Sequence, residues 1–191
     1  MALNGYKVYA TDLSPESIKR AKKEARKFKV SIKFDVVDFR NLQKKVPGLF
    51  DVVIACDNSL PHLLTKSDLV KATKNMRQKL NKDGFVIISM RDYDKILKDK
   101  PKATLPYEIN DKLQRRIVFQ TWNWKGSLYE INHFIIKKNK DSWVTNHRVT
   151  QYKAIKRSEL TKILKQVGFK TVEWLMPEIT GFFQPIAIAH L

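Results

Sequence analysis

The chain has 191 residues, 43% of them hydrophobic and 29% charged, and its formal net charge is +18. This length supports one domain over 1–191 and is too short for two ordinary domains. Because no apolar run reaches the roughly 18 residues of a membrane span and no signal-peptide pattern follows the first methionine, we expect a cytoplasmic protein without a membrane partner.

Strand and helix patterns alternate through the first half of the chain. Ser14 and Pro15 are typical of the start of a helix, which follows the first strand pattern. Thr65 begins a second amphipathic pattern that predicts a helix as far as about Leu80. The predicted strands are Tyr6–Thr11, Ser31–Val37, Phe50–Cys56 and Phe85–Met90. This alternation predicts an α/β fold with a mostly parallel sheet.

The second half of the chain is rich in β-forming residues. Three segments separated by short polar turns predict an antiparallel meander, inserted over 113–153: Arg116–Trp124, Leu128–Lys137 and Trp143–Tyr152. The remaining predicted elements are the helix Ser158–Val167 and the strands Phe169–Leu175 and Gln184–His190. Between Tyr93 and Lys112 no periodicity is visible, so a mobile lid and a long surface loop are both open.

The net charge has two interpretations. A strongly basic chain is typical of proteins that bind a polyanion such as RNA. The alternative is an ordinary solvated surface that is rich in lysine. The segment 14–28 favours the second interpretation, because Ile18, Ala21, Ala25 and Phe28 form one apolar helical face and basic residues fill the rest. No tract of basic residues interleaved with aromatic residues occurs elsewhere.

Polar residues end three successive predicted strands, at the edge where open parallel sheets bind ligands. Asp12 ends the first strand, where a carboxylate can accept both ribose hydroxyls of a nucleoside. Asp38 ends the second, where it can meet an adenine amino group, and Asp57 and Asn58 follow the third. Aspartate is also common in turns and helix caps, so each residue alone has a structural interpretation. Three such positions in register favour a nucleoside site.

These residues lie in segments that resemble the class I S-adenosylmethionine-dependent methyltransferases, especially the small-molecule branch that includes the glycine and sarcosine N-methyltransferases. The segments are GYKVYATDLSPESIKRA, FDVVDFRNL, FDVVIACDNSLPHLL, NMRQKLNKDGFVIISMRDYD, LKQVGFKTVEWLMPE and GFFQPIAIAHL. Each motif is short, and their order and spacing over nearly the whole chain carry the resemblance. It implies a Rossmann-like, mostly parallel sheet with an antiparallel last strand.

The resemblance also implies a cofactor, S-adenosylmethionine, and the residues around it. Asp12 corresponds to the ribose ligand, Asp57 and Asn58 to neighbours of the methionine part, and the other positions to neighbours of the adenine. The implied cofactor-binding residues are Asp12, Leu13, Asp38, Phe39, Asp57 and Asn58. The family reaction is an in-line attack on the sulfonium methyl group, for which the enzyme mainly supplies positioning.

One part of the family pattern is missing. The first family strand and its glycine-rich loop would precede Gly5, and the sequence begins inside the helix that follows them. We expect either a truncated reading of a longer gene or a variant with impaired cofactor binding, and we favour truncation because the other cofactor-facing residues are present. The missing strand is the central one of the family sheet, so independent folding of this chain stays open.

The substrate pocket is predicted from the meander, which the resemblance places on the substrate side. Strand alternation puts Gln120, Trp122 and Trp124 on one face of their strand, and Arg148 and Tyr152 on one face of a neighbouring strand. His133 lies on the strand between them. If these faces coincide, they form an aromatic pocket with a cation for an acceptor that bears a carboxylate. The alternative is that these residues only pack the meander on the sheet. Further candidates in the cleft are Asn58, Arg91, Asp92, Tyr93 and Gln184.

Two residues are the candidates for catalysis, His62 and Tyr93. His62 follows the third strand and would accept a proton from the incoming nucleophile, although such a histidine also commonly bonds local backbone groups. Tyr93 follows the fifth family strand and is expected to face the cleft. The four histidines and the single cysteine, Cys56, show no metal-ligand spacing, so we predict no catalytic metal.

We therefore expect methyl transfer to a small-molecule acceptor, an amine or an amino-acid-like compound. Two other functions stay open: an RNA methyltransferase or RNA-binding protein, supported by the charge alone, and a non-catalytic methyltransferase-like protein that binds a partner through its incomplete sheet. An NAD-dependent enzyme also has an acidic residue after the second strand, but the DNSLPH turn disfavours it. A homo-oligomer is left open as well.

Overall fold

The structure, a computed structural model, describes residues 1–111 and 114–191. Its strands are β1 (Val8–Asp12), β2 (Ile32–Val36), β3 (Phe50–Ala55), β4 (Leu80–Ser89), β5 (Tyr107–Asp111), β6 (Gln114–Lys125), β7 (Leu128–Asn139), β8 (Ser142–Lys153), β9 (Thr171–Leu175) and β10 (Ile186–His190). Its helices are α1 (Pro15–Lys27), α2 (Leu42–Lys45), α3 (Lys66–Arg77), α4 (Tyr93–Asp99), α5 (Arg157–Gln166) and α6 (Pro177–Thr180). None of these helices is long and apolar enough to cross a bilayer.

The strands of the α/β part form a mixed arrangement. β1 and β2 pair in parallel, as do β3 and β4. β10 lies between β4 and β9 and is antiparallel to both, which confirms the predicted antiparallel last strand. In the described residues β1 does not pair with β3, so the expected sheet is divided into a two-stranded part and a four-stranded part. The rings of Tyr9 and Phe50 meet between the two parts, with centroids 6.1 Å apart.

The predicted meander is a separate antiparallel sheet with the order β5-β6-β7-β8. Three of its strands coincide with the predicted segments and are each 12 residues long. β5 was not predicted, and it places the start of the sheet at Tyr107, before the predicted boundary at residue 113, which lies outside the described residues. The register sets Gln120 opposite His133 and His133 opposite Arg148, so these side chains share one face. The sequence had left open whether the faces of the three strands coincide.

Helices α1 and α3 begin where their caps predict. The Ser14 hydroxyl accepts a hydrogen bond from the Ser17 amide at 3.2 Å, and the Thr65 hydroxyl accepts one from Asp68 at 3.1 Å. The apolar stripe of α3 is buried, with Leu69 fully covered. Leu80, which we expected near the end of this helix, is instead the first residue of β4.

Strand β4 begins five residues earlier than its prediction because the polar sequence NKDG lies within a strand rather than in a turn. The pairing with β3 shifts register between Phe50 and Val52, which accommodates this segment as an irregularity. A Cβ atom on Gly84 would lie 3.0 Å from the carbonyl oxygens of both Asn81 and Asp51. Glycine is therefore the residue that lets the two strands approach here.

The stretch after β4, for which no periodicity was visible, contains a short helix, α4. The Asp92 carboxylate caps it by accepting a hydrogen bond from the Lys95 amide at 3.3 Å. The Arg157 guanidinium then binds Asp92 at 2.6 Å and Asp94 at 3.3 Å, which ties α4 to the start of α5. These long-range ion pairs stabilise a seven-residue helix that is too short to be stable alone.

Candidate active site

A strained turn after β3 forms the floor of the site. Asp57 and Asn58 have φ values of 56° and 62°, in the left-handed region that aspartate and asparagine tolerate better than most residues. The Asp57 amide donates to the Ser89 hydroxyl at 2.8 Å, and the Asn58 amide donates to the Ser89 carbonyl at 3.1 Å. The Ser89 hydroxyl in turn donates to Gln184 at 3.0 Å. The ends of β3 and β4 therefore hold the turn in place.

The Asn58 side chain is buried, with 5% exposure, and only half of its amide is satisfied within the chain. Its Oδ1 accepts hydrogen bonds from the Arg91 amide at 3.2 Å and from the Tyr93 hydroxyl at 2.9 Å. Its Nδ2 has no hydrogen-bond partner in the described part of the chain. Since buried polar atoms are almost always paired, this donor needs an acceptor from outside the described chain, a water molecule or a ligand.

A cavity of about 470 Å³ opens above this turn, between the carboxyl ends of the strands and the antiparallel sheet. Its lining residues are Asp57, Asn58, Arg91, Asp92, Ile96, Trp122, Tyr152, Phe183 and Gln184. The structure thus brings together candidates that are up to 127 positions apart, from Asp57 to Gln184. Ile96 and Phe183 were not predicted, because no local pattern distinguishes them from ordinary apolar residues.

Arg91 supplies the positive charge of the cavity. Its guanidinium carbon lies 4.8 Å from the centroid of the Trp122 ring and 5.6 Å from that of Tyr152, and Nη1 donates to the Tyr129 hydroxyl at 3.2 Å. Within the described residues no carboxylate lies within ion-pairing distance of it. The guanidinium is therefore held by aromatic rings and a hydroxyl, and its charge is left for a ligand.

Four aromatic residues of the antiparallel sheet form the wall behind Arg91. The Tyr129 ring stacks on Trp122, Trp124 and Tyr152, with centroid distances of 5.1, 4.5 and 5.4 Å. Tyr129 itself is 2% exposed and was not predicted as a site residue. Its place opposite Trp124 in the register is the signal that identifies it once the strands are paired.

His62 lies beside the cavity rather than in its lining. Its ring is 4.3 Å from the Tyr152 ring, measured between centroids. Desolvation and, to a smaller extent, the nearby Arg91 cation hold the pKa of His62 below its ordinary value of 6.5. The imidazole is therefore neutral near pH 7 and can accept a proton.

Tyr93 does not face the cleft as we expected. Its side chain is fully buried, and its hydroxyl lies 2.9 Å from Asn58 Oδ1 and 2.7 Å from the Tyr129 hydroxyl. Burial and the neighbouring Tyr129 raise the pKa of Tyr93 far above the ordinary value of 10.0. The phenol keeps its proton at any physiological pH, so it cannot act as a catalytic base.

Four other pocket candidates lie outside the cavity lining. The first is Gln120, whose Oε1 accepts a hydrogen bond from Nε1 of Trp122 at 3.1 Å. Arg148 is exposed on β8, four residues from Tyr152, which corresponds to about 13 Å along a strand. His133 lies next to it in the register and is half-buried. Trp124 donates to the Pro101 carbonyl at 2.9 Å and packs behind Tyr129. The cation of the cavity is accordingly Arg91 and not Arg148.

The nucleoside-side candidates lie at the ends of β1 and β2. Asp12 is exposed, and its Oδ1 accepts a hydrogen bond from the Ser14 amide at 2.7 Å. Asp38 is held by Arg40, whose Nη2 lies 2.6 Å from its Oδ2, and this contact lowers the pKa of Asp38. Leu13 is 68% exposed, while Phe39 packs against the core. Asp12 is thus more available to a ligand than Asp38.

Comparison with known sequences identifies relatives of this arrangement. A family model described as "Methyltransferase domain" matches residues 1–84. The glycine/sarcosine N-methyltransferase of Halorhodospira halochloris is 28% identical over 147 residues, which are 71% of this chain and 54% of that protein. The enzyme of the same name from Parasynechococcus marenigrum is 33% identical over 93 residues, which are 49% and 33% of the two chains. The chain thus spans about half the length, or less, of these relatives.

Solved structures share the fold. An S-adenosylmethionine-dependent methyltransferase from Clostridium acetobutylicum superposes with a TM-score of 0.80 at 17% identity, over 97% of this chain and 75% of that one. An S-adenosylmethionine-bound amino pentose methyltransferase from Micromonospora echinaspora gives 0.76 at 12% identity, over 96% and 73%. Both alignments therefore cover nearly the whole of this chain. The chain is thus similar in sequence, over residues 1–84, to a methyltransferase domain, and similar in fold to S-adenosylmethionine-dependent methyltransferases.

Proposed function

We propose that this chain forms a methyltransferase site for a small amine that bears a carboxylate. The observation that carries the proposal is one aromatic cavity lined by Arg91, whose guanidinium has no carboxylate partner in the described residues, and by Asn58, whose buried Nδ2 has no partner there. The glycine/sarcosine N-methyltransferases, by their names, act on acceptors of this kind. The cation and the aromatic rings of the cavity suit the carboxylate and the amine of such an acceptor.

Carboxylate recognition follows from the two donors. A guanidinium offers several N–H groups in one plane and binds a carboxylate more strongly than a neutral donor does. The buried Nδ2 of Asn58 adds a donor that has no competing partner in the described chain. An acceptor with a carboxylate satisfies both groups, whereas an acceptor without one leaves the Asn58 donor buried and unpaired.

The residues that would hold S-adenosylmethionine are Asp12 and the turn of Asp57 and Asn58. The exposed Asp12 carboxylate suits ribose hydroxyls, and Asp57 and Asn58 line the cavity at the end of β3. When bound, the cofactor supplies an electrophilic methyl group, so the protein needs to position the acceptor and does not need to activate the methyl. Asp38 contributes less, because Arg40 already occupies its carboxylate.

The side chains of the cavity then handle the charge and the proton of the amine. The nitrogen becomes cationic as it gains a methyl group, and the faces of Trp122 and Tyr152 stabilise such a charge. The amine must be neutral to attack. His62 is neutral near pH 7 and packs on Tyr152, so it is the group beside the cavity that can take the proton, directly or through one water.

Calorimetric titration with S-adenosylhomocysteine tests the proposal. We expect micromolar affinity for the unmodified chain and at least about tenfold weaker binding for Asp12→Ala, because one charge-assisted hydrogen bond contributes about 1.5–3 kcal/mol. Asp141→Ala, an exposed aspartate in the turn between β7 and β8, is the matched control and should bind as the unmodified chain does. A folded chain that binds no S-adenosylhomocysteine, but binds RNA with a steep loss of affinity in salt, would favour the RNA alternative instead.

A further inference from the structure

We propose that Tyr129 and Tyr93 are positioning residues, forming a buried hydrogen-bond relay that fixes both donors of the carboxylate site. The inference rests on the proposed function and adds to it the device that sets acceptor specificity. Neither tyrosine lines the cavity, and neither would touch an acceptor. Both act through Arg91 and Asn58, which do line it.

The relay is continuous. Nη1 of Arg91 donates to the Tyr129 hydroxyl at 3.2 Å, the two tyrosine hydroxyls are 2.7 Å apart, and the Tyr93 hydroxyl lies 2.9 Å from Oδ1 of Asn58. Tyr93, Tyr129 and Asn58 are 0%, 2% and 5% exposed, so water does not compete for these groups. Hydrogen bonds in such a chain polarise one another in the same direction.

The direction of the relay follows from the chemistry of its ends. A guanidinium can only donate, so the Tyr129 oxygen accepts at that end. At the other end Oδ1 of Asn58 can only accept, so the Tyr93 hydroxyl must donate its one proton there. Tyr129 therefore donates its proton to Tyr93. Each hydroxyl donates once and accepts once, and no group in the relay is left over.

The same bonds decide which way the Asn58 amide points. The Arg91 backbone amide also donates to Oδ1, at 3.2 Å, and because a backbone N–H can only donate, a flipped side chain would set its NH₂ group against that donor. Nδ2 is consequently fixed as the donor that has no partner in the described chain. The Arg91 guanidinium is held at the opposite end of the relay by the Tyr129 hydroxyl.

The relay also links two parts of the fold. Tyr129 belongs to β7 of the antiparallel sheet, where its ring is clamped between Trp124 and Tyr152, whereas Asn58 follows β3 of the mixed sheet. The Tyr129 hydroxyl cannot move without breaking these stacks. The inserted sheet therefore sets the geometry of donors that are attached to the other sheet.

The test compares Tyr129→Phe, Tyr93→Phe and the double variant, each of which keeps the buried ring and removes one or two hydroxyls. Sarcosine and ethylamine are titrated into chain saturated with S-adenosylhomocysteine. We expect each single variant to bind sarcosine about tenfold more weakly and to keep its affinities for ethylamine and S-adenosylhomocysteine. The double variant should bind sarcosine as well as the weaker-binding single variant does, because either substitution alone already interrupts the relay. Tyr107→Phe, which removes an exposed hydroxyl from β5, is the control.

The outcomes distinguish failure of the proposed function from failure of the relay. Unmodified chain that fails to bind S-adenosylhomocysteine, or binds sarcosine no better than ethylamine, overturns the proposed function. Variants that keep the preference for sarcosine, or lose affinity for all three compounds alike, overturn the relay and leave the proposed function standing. Side-chain amide NMR of unmodified chain supplies a readout that needs no variant: sarcosine should shift the Asn58 amide resonances, and unshifted resonances contradict the locked donor.

Discussion

Arg91 offers the sharpest test of carboxylate recognition, through the substitution Arg91→Met. Methionine keeps the length and the apolar contact with Trp122 and Tyr152 but removes the charge and every donor. One hydrogen bond to a charged group contributes about 1.5–3 kcal/mol, and each 1.4 kcal/mol is tenfold in affinity. We therefore expect sarcosine affinity to fall about 10- to 150-fold, while S-adenosylhomocysteine affinity stays within about twofold.

The same substitution should move the titration of His62, because the Arg91 cation is one of the two causes that hold its pKa down. Removing the cation raises the pKa of His62, so the acid limb of the rate against pH should move to higher pH. Calorimetry measures the affinities. The rate of methyl transfer, measured between pH 5 and 9, locates the pH below which activity falls. An Arg91→Met variant with unchanged sarcosine affinity would refute the assignment of this residue to the carboxylate. Arg148→Met is the control, since Arg148 lies outside the cavity lining.

Two further predictions concern stability. Because the pKa of His62 in the folded chain lies below 6.5, the unfolded chain binds the proton more readily, and the free energy of unfolding should fall as pH drops through 6.5. His62→Gln should make the free energy of unfolding, measured by denaturant titration, depend less on pH. An unchanged pH dependence would contradict the pKa shift. Gly84→Ala should destabilise the chain by about 1–3 kcal/mol, because its Cβ meets two carbonyl oxygens at 3.0 Å. Thermal unfolding measures this, with the exposed neighbour Lys82→Ala as control, and equal midpoints would show that β3 and β4 can separate freely.

Local patterns predicted the elements whose physics is local. Ser14 and Thr65 cap helices within three residues of themselves, and both caps form as expected. Alternation along β6 and β8 placed the pocket side chains on one face, because the side-chain period of a strand does not depend on its partners. The short helix α4 escaped prediction, since ion pairs from Arg157, more than 60 positions away, stabilise it.

The composition of the site depended on contacts that no local pattern contains. Arg91 rather than Arg148 supplies the cation, because the antiparallel sheet docks its Trp122 and Tyr152 end over the strand ends. Tyr93 was expected at the surface of the cleft and is buried, since Asn58 and Tyr129 close over it.

The sequence by itself determined the alternation of strands and helices in the first half, the meander that follows it, and the polar residues at the strand ends, which depend on short-range periodicity and capping. The antiparallel last strand was expected from the resemblance to the methyltransferases. The tertiary structure alone decided that Tyr129 and Tyr93 together link Arg91 to Asn58, and that β1 and β3 do not pair with each other in the described residues. Those features depend on which strand edges meet and on how two sheets face each other. Such choices arise from packing between distant segments, where the free energy of a contact depends on all its neighbours at once.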